Sequence, residues 1–446
     1  MSLNTSNKSI LFLALPIILG SAAQQIIGLS DSIFLYHYSE LDFASIALMS
    51  VFYLIIASTG YGFSKGGQII IARRMGEGDI KSLSKSFYTL LFFEMGLALI
   101  MFLFMRFGTE WFLKFFIKSD RIYEHSLLYI KTRAYGVFFS YAGISIIALY
   151  TGIAKTRFII VDSIILVVSN LILNYILIFG KFGFPELGIQ GAAIANNTAE
   201  IIGLLVYVIY IFANGDLKKW GLNKIYKPEK SLFYSILRLS SPIVGQSVIS
   251  IGSWFLFFSL VETYLGERAL AVSNLIRNIS LILTIPSWGF SSAINTLVSQ
   301  LIGMRKRMAV MPIIIKTANI NLIITMIFAI PIVLFPTFML YPLFGGDDMS
   351  LILESRNVLY LLLLILIMAS TGMIFFNGLS GTGASAYGMK IQFVIFFIYI
   401  SYIFIVLKYG KGSLVLAWSS ELVYWISIIF FSLRYLYSKR WHNKIV

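Results

Sequence analysis

Few side chains in this sequence could do chemistry, and those few lie within long apolar runs. Asp31 sits in LALPIILGSAAQQIIGLSDSIFL, Asn170 and Asn174 in LVVSNLILNYIL, and Asn196 and Glu200 in ELGIQGAAIANNTAE. Residues four apart share one face of a helix, so Asn170 pairs with Asn174 and Asn196 with Glu200. An ionisable group in such a run is costly unless it faces a cavity or finds partners. A lone carboxylate among amide oxygens suits a proton, because burial favours the neutral acid, or a small hard cation such as Na⁺, which prefers oxygen ligands. Asp31 and Asn174 are then the candidate metal ligands, with Asn170, Asn196 and Glu200 completing a cation-binding group. Two plainer readings stand beside this one: asparagine as glue between helices, and Asp31 reaching the headgroups.

Other polar groups divide between roles. Glu200 could be a second coupling carboxylate or the partner of Lys65, whose long stem could instead carry its charge to water. Arg277, flanked by Asn274 and Asn278, could line a cleft or bond carbonyls of neighbouring helices. No role is assigned to Glu94 or Glu421. Pro16 removes a helix hydrogen bond on the element that carries Asp31, which makes it a candidate hinge or a static kink. The only histidines are His37, His125 and His442, and no metalloprotease, nucleophile-elbow or phosphate-loop motif is present. An enzyme is not expected, nor a cofactor. With no cysteine there is no disulfide or thiolate metal site.

The elements that must position these groups follow from composition. The 446 residues are 58% hydrophobic and 12% charged, with a mean hydropathy of +0.86. That is too little polar surface to coat a soluble globule. Many apolar runs reach the roughly 20 residues that a helix needs to cross a membrane. They lack the alternation of a barrel, so helices are the solution. Spans are predicted near 10–36, 43–71, 86–107, 127–153, 158–180, 189–213, 233–261, 269–302, 312–340, 352–380, 387–408 and 413–436. The first reads as an uncleaved span. Asp31, Asn170, Asn174 and Asn196 then fall in the same, outer half of the membrane.

The net charge of +15 is a topology signal here and predicts no nucleic-acid partner. With the N-terminus in the cytoplasm, most Lys and Arg fall on that side, among them Arg73, Arg74, Lys81 and Lys85, the run Lys218, Lys219, Lys224, Lys227 and Lys230, and Arg434, Lys439, Arg440 and Lys444. Arg133 counts with the opposite side. Both termini are predicted cytoplasmic, in a prokaryotic inner (plasma) membrane.

The stretch NGDLKKWGLNKIYKPEKS divides the chain into a bundle over 1–213, a linker over 214–231 and a second bundle over 232–446. The halves keep one register: Pro16 answers Pro242, Gly76 answers Gly303 and Gly152 answers Gly381, offsets of about 226 to 229 residues. Six spans per half make the repeats parallel, and two similar bundles can rock around a central cleft between inward-open and outward-open states. The fold class expected is an all-α membrane protein of twelve helices in two pseudo-symmetric six-helix bundles. Alternating-access transport is the leading expectation.

The landmarks in order, LALPIILGSAAQQIIGLSDSIFL, GGQIIIARRMGEGD, YTGIAKTRF, ELGIQGAAIANNTAE, ALAVSNLIRNISLILTIPSWGFSSAINTLVSQLIG and FFNGLSGTGAS, resemble the multidrug and toxic compound extrusion (MATE) transporters of the superfamily that also holds lipid-linked oligosaccharide flippases. The likeness runs along nearly the whole chain. It implies export of small amphipathic, often cationic compounds in exchange for Na⁺ or H⁺; a monomer in contact with membrane lipid is expected. Asp31 matches the family's first-span cation-site aspartate and Asn170 the first polar position of its fifth-span motif. Asn174 stands where some members have a second aspartate, Asn196 where some have threonine, and Pro16 matches the proline associated with bending. The acids that some subfamilies place in spans 7 and 10 are missing, so coupling is expected in the first bundle. A flippase for a lipid-linked saccharide or other lipid is the nearest rival, and a polytopic membrane enzyme the rival of another class.

Overall fold

The computed structural model describes residues 5–338, 349–409 and 413–442. The expected end of span 9 at 340 and the basic Lys444 lie outside them. Among the described residues the regular structure is helical. The helices are α1 (Asn7–Tyr38), α2 (Glu40–Glu77), α3 (Ile80–Leu103), α4 (Thr109–Phe116), α5 (Asp120–Arg133), α6 (Val137–Gly152), α7 (Arg157–Phe179), α8 (Gly188–Ala213) and α9 (Asp216–Lys219), followed by α10 (Lys230–Gly303), α11 (Val310–Leu334), α12 (Met349–Gly381), α13 (Ser385–Tyr409) and α14 (Leu414–Tyr437). Eleven stretches among the described residues are long and apolar enough to cross a membrane. One of these is the 74-residue α10, which Gly266 divides at φ 83°. A left-handed residue cannot continue a helix, so spans 7 and 8 are its two limbs.

Two predicted spans are compound. A five-residue π-helical turn, Phe104–Gly108, joins α3 to α4, and a 3₁₀ turn, Ala134–Gly136, joins α5 to α6. By packing, the chain forms two units: Leu19–Ser240, and Met1–Ile18 with Ser241–Val446. The first turns of α1 therefore belong with the carboxy-terminal unit. There a Cβ added at Gly289 would meet Ile18 Cγ1 at 2.3 Å and the Ala14 carbonyl oxygen at 3.0 Å.

The internal repeat reaches down to single contacts. In the amino-terminal unit a Cβ on Gly152 would meet the Gln68 carbonyl oxygen at 3.2 Å, and in the other unit one on Gly381 would meet the Asn295 carbonyl oxygen at 2.8 Å. Gln68 and Asn295 are themselves in register. Left-handed residues close matching helices in both halves, Gly78 (φ 75°) with Arg305 (φ 59°) and Ala154 (φ 58°) with Gly383 (φ 90°). The helix starts that follow the first of these pairs differ. Asp79 Oδ1 accepts from the Ser82 backbone N–H at 2.9 Å and caps α3, and hydrogen bonds from the Ser82 side chain and backbone hold its carboxyl below the usual range. Lys306 stands at the matching place, and α11 starts with no side-chain cap.

Candidate cation-binding site

Three helices of the amino-terminal unit bring the site together. α7 and α8 form a helical hairpin, and α8 begins where Gly188 takes φ 51°. Asp42 of α2 pins that start, because its Oδ2 accepts from the Ile189 backbone N–H at 2.9 Å while its Oδ1 meets His125 Nδ1 at 2.5 Å. Gly191 lets α8 close on α7, for a Cβ there would stand 2.5 Å from the Leu177 carbonyl oxygen. This approach leaves room for carboxamides between the helices and little else.

Into that space α1 turns Asp31, which is 6% exposed, while Asn170 and Asn174 are fully buried and Asn196 nearly so. Asn174 Nδ2 donates to Asp31 Oδ1 at 2.6 Å, and Asn196 Nδ2 donates to Asp31 Oδ2 at 2.7 Å. Behind them Asn170 Nδ2 donates to Asn196 Oδ1 at 3.1 Å, and Asn170 Oδ1 accepts from Asn174 Nδ2 at 3.1 Å and from Ser30 Oγ at 3.3 Å. The carboxylate is thus gripped by two amide donors from two helices. One oxygen is left over: Asn174 Oδ1 is buried and makes no hydrogen bond.

A buried acceptor without a donor is costly, and a cation removes that cost. A carboxamide presents a donor on one side and an acceptor on the other, so turning it over exchanges an N–H for an oxygen at the same place. Asp31 with Asn174, Asn170 and Asn196 can therefore offer oxygens to Na⁺ or an acceptor to the O–H of a protonated acid, or, with the amides donating as they do here, hold the bare carboxylate. Among the described residues no three of His, Asp and Glu gather, so a cation here meets one carboxylate and a set of amides.

Of the two roles open to Glu200, the pairing with Lys65 does not form. Glu200 is taken by Arg133, whose Nη2 and Nη1 donate to its two oxygens at 2.5 and 2.8 Å. Arg133 Nη1 also donates to Asn197 Oδ1 at 2.7 Å, and its guanidinium lies over the Tyr53 ring at 4.1 Å. Bidentate geometry and a cation over a ring make this a strong, desolvated pair. Its charge also acts on Asp31. Lys65 lies on α2 with Nζ 5.6 Å from the Tyr61 ring.

Arg133, placed by its sequence position at an outer span end, is instead 4% exposed. The signal that could have found it is Gly136, three residues on: a Cβ there would lie 2.1 Å from both Arg133 Nη1 and Asn197 Oδ1. The glycine is the opening through which the guanidinium reaches α8. In the other unit, Arg277 stacks over the Phe258 ring at 5.2 Å, Asn274 is half-buried and Asn278 exposed on the second limb of α10. These three form no part of the Asp31 network. Pro16 lies within the continuous helix α1, two residues before the chain passes from one packing unit to the other.

The MatE family model matches residues 16–176 and 242–405, most of both halves. A probable multidrug resistance protein NorM from Thermotoga maritima is 27% identical over 98% of this chain and 94% of that protein. Another, from Photorhabdus laumondii, is 25% identical over 80% of this chain and 78% of its own length. Among solved structures, an outward-facing multidrug resistance MATE transporter of the MOP superfamily overlays with a TM-score of 0.87 at 18% identity, covering 98% of this chain and 97% of its own. A MOP superfamily transporter from Pyrococcus furiosus does so at 0.86 and 19%, with the same coverage. Twelve apolar spans, two halves in one register and a matching fold from end to end leave one conclusion: this integral membrane protein belongs to the MatE family.

Proposed function

We propose that this chain is a multidrug efflux antiporter that exports small amphipathic, often cationic organic compounds in exchange for Na⁺ or H⁺ entering through its amino-terminal unit. The observation that carries the coupling is Asp31, held by the amides of Asn174 and Asn196 beside the unsatisfied Asn174 Oδ1. The group is poised between two states. With the cation bound, the carboxylate and amide oxygens are satisfied; without it, the amide N–H groups take the cation's place. α1 carries both Asp31 and Pro16, and its first turns pack with one unit while the rest packs with the other. A change of occupancy at Asp31 is therefore transmitted along one helix to the hinge at Pro16. Both termini lie in the cytoplasm of a bacterial cell, as the distribution of basic residues favours.

The test is efflux of a fluorescent organic cation from proteoliposomes under Na⁺ and pH gradients imposed separately. One gradient at least accelerates efflux, and the one that does names the ion. Efflux indifferent to both overturns the reading, and movement of a labelled lipid in place of the organic cation converts it to that of a flippase.

A further inference from the structure

Asp162 plays no part in the network around Asp31, yet its surroundings are those of a group that takes up and gives back a proton. It stands on the buried face of α7 about 12 Å along the axis before Asn170, near the end of the unit that carries Lys155, Arg157, Lys218 and Lys219. It is 6% exposed, and its Oδ1 makes no hydrogen bond. Opposite it is Gly203 of α8, where a Cβ would stand 3.0 Å from that oxygen. The missing side chain is what leaves room for the carboxyl group. One turn further along α8 comes Tyr207, 1% exposed, whose phenol acts on Asp162 while its Oη also completes no hydrogen bond.

From there polar groups continue toward the basic end. The Tyr207 ring stacks on Tyr150, with centroids 6.4 Å apart and planes at 22°. Tyr150 Oη donates to Asp216 Oδ2 at 2.7 Å, and Trp220 Nε1 donates to Asp216 Oδ1 at 3.1 Å. The groups facing Asp162 are few. α8 brings Tyr207, and α1 brings Gly20, beside Ile159 and Ser163, with no titratable side chain. Its own helix has Arg157 one and a half turns away, and among the described residues no Lys, Arg, His or other carboxylate acts on it.

A metal cation needs a shell of several oxygens, and here one carboxyl group and one phenol are on offer. One proton satisfies both, because a carboxylic acid and a phenol can each donate to the other's free oxygen. We propose that Asp162 and Tyr207 form a second proton-binding site at the basic end of the α7–α8 hairpin, separate from the Asp31 site. The proton comes from hydronium in the solvent at that end, adds to an Asp162 oxygen, and returns by the same way to water. No other bond changes.

This proposal goes beyond the coupling at Asp31, and one experiment separates them: infrared titration of the whole protein in lipid, following the C=O stretch of protonated carboxyl groups. The wild type loses a component of this band as pH rises that Asp162→Asn lacks and Asp31→Asn keeps. Tyr207→Phe shifts the frequency of that component, because the acid loses its phenol partner, and this variant decides the matter if Asp162→Asn does not fold. The proposal is overturned if Asp162→Asn removes no titrating component, or if Tyr207→Phe leaves the band where it was. Loss of the Asp162 component alone, with gradient-driven efflux unchanged in Asp31→Asn, supports this site while refuting the other.

Discussion

The two halves of the chain set the same framework to opposite uses. Phe257 stands as far after Pro242 as Asp31 does after Pro16, and Tyr399 and Ile403 stand as far after Gly381 as Asn170 and Asn174 do after Gly152. In the amino-terminal unit these positions hold a buried acid and two amides. In the carboxy-terminal unit they belong to one apolar core with Trp418, Ile279 and Leu359. Phe257 meets the Trp418 ring at 5.3 Å and the Trp254 ring at 5.9 Å. Polar pairs survive there, among them Tyr399 Oη donating to Glu421 Oε1 at 2.8 Å, much as Asn170 donates to Asn196 in the other half, and Trp418 Nε1 donating to Ser273 Oγ at 3.1 Å. The frame tolerates either filling. An apolar core stabilises, whereas a cluster of amides around one carboxylate costs desolvation and leaves an oxygen unsatisfied. The half that bears this cost is the half to which coupling is assigned.

The largest effect is expected from making the second half resemble the first. Phe257→Asp places an acid among rings with no amide to hold it, and destabilises by more than about 5 kcal/mol through the lost ring and the unpaired charge. Thermal melting in detergent reads this loss. A variant that folds normally and gains cation coupling would break the comparison.

Next comes the ion pair beside the site. Arg133→Met leaves a half-buried Glu200 unpaired, at a cost of about 1–3 kcal/mol, and adding Glu200→Gln recovers most of it. A double-mutant cycle of melting temperatures measures the coupling. If the two substitutions simply add, the pair is not the unit that the 2.5 and 2.8 Å contacts describe.

Much of this architecture can be read from residue order. The twelve spans, the register of Gly152 with Gly381 and the gathering of Asp31 with Asn170, Asn174 and Asn196 all follow from apolar runs, glycine landmarks and fourfold spacing. Arg133 escaped because its reach depends on the 3₁₀ turn after α5 and on the gap at Gly136, neither of which has a periodic signature. The choice between Lys65 and other partners for Glu200 stays open in the sequence, because depth along a helix gives height in the membrane and says nothing of rotation about the axis. The filling of the second half was hidden for a different reason. Phe257, Tyr399 and Ile403 are ordinary residues of an apolar run until their counterparts are known to touch one another.

Smaller effects refine the contrast. Glu421→Gln keeps an acceptor for Tyr399, so gradient-driven efflux changes by less than about twofold. A larger loss in the same vesicle assay would give the second half a coupling role. At the matching helix starts, Asp79→Ala costs about 1 kcal/mol by removing the cap of α3. Lys306→Ala, at the uncapped start, changes stability by less than about 0.5 kcal/mol. Because the Asp79 carboxyl is held below its usual range, its contribution is present at neutral pH and disappears as pH falls through that lowered value. Melting curves of wild type and Asp79→Ala therefore converge in acid, and curves that stay equally far apart would remove the cap from the account.

The most direct test is efflux of a fluorescent organic cation by Asp31→Asn in proteoliposomes, compared with wild type under the gradient that drives it. Asn keeps the shape of the side chain and removes the charge that a cation would neutralise. The variant should retain folding and binding of the organic cation while its efflux no longer responds to the gradient. Efflux by Asp31→Asn that still rises with the gradient as in wild type would contradict the assignment of coupling to the amino-terminal unit.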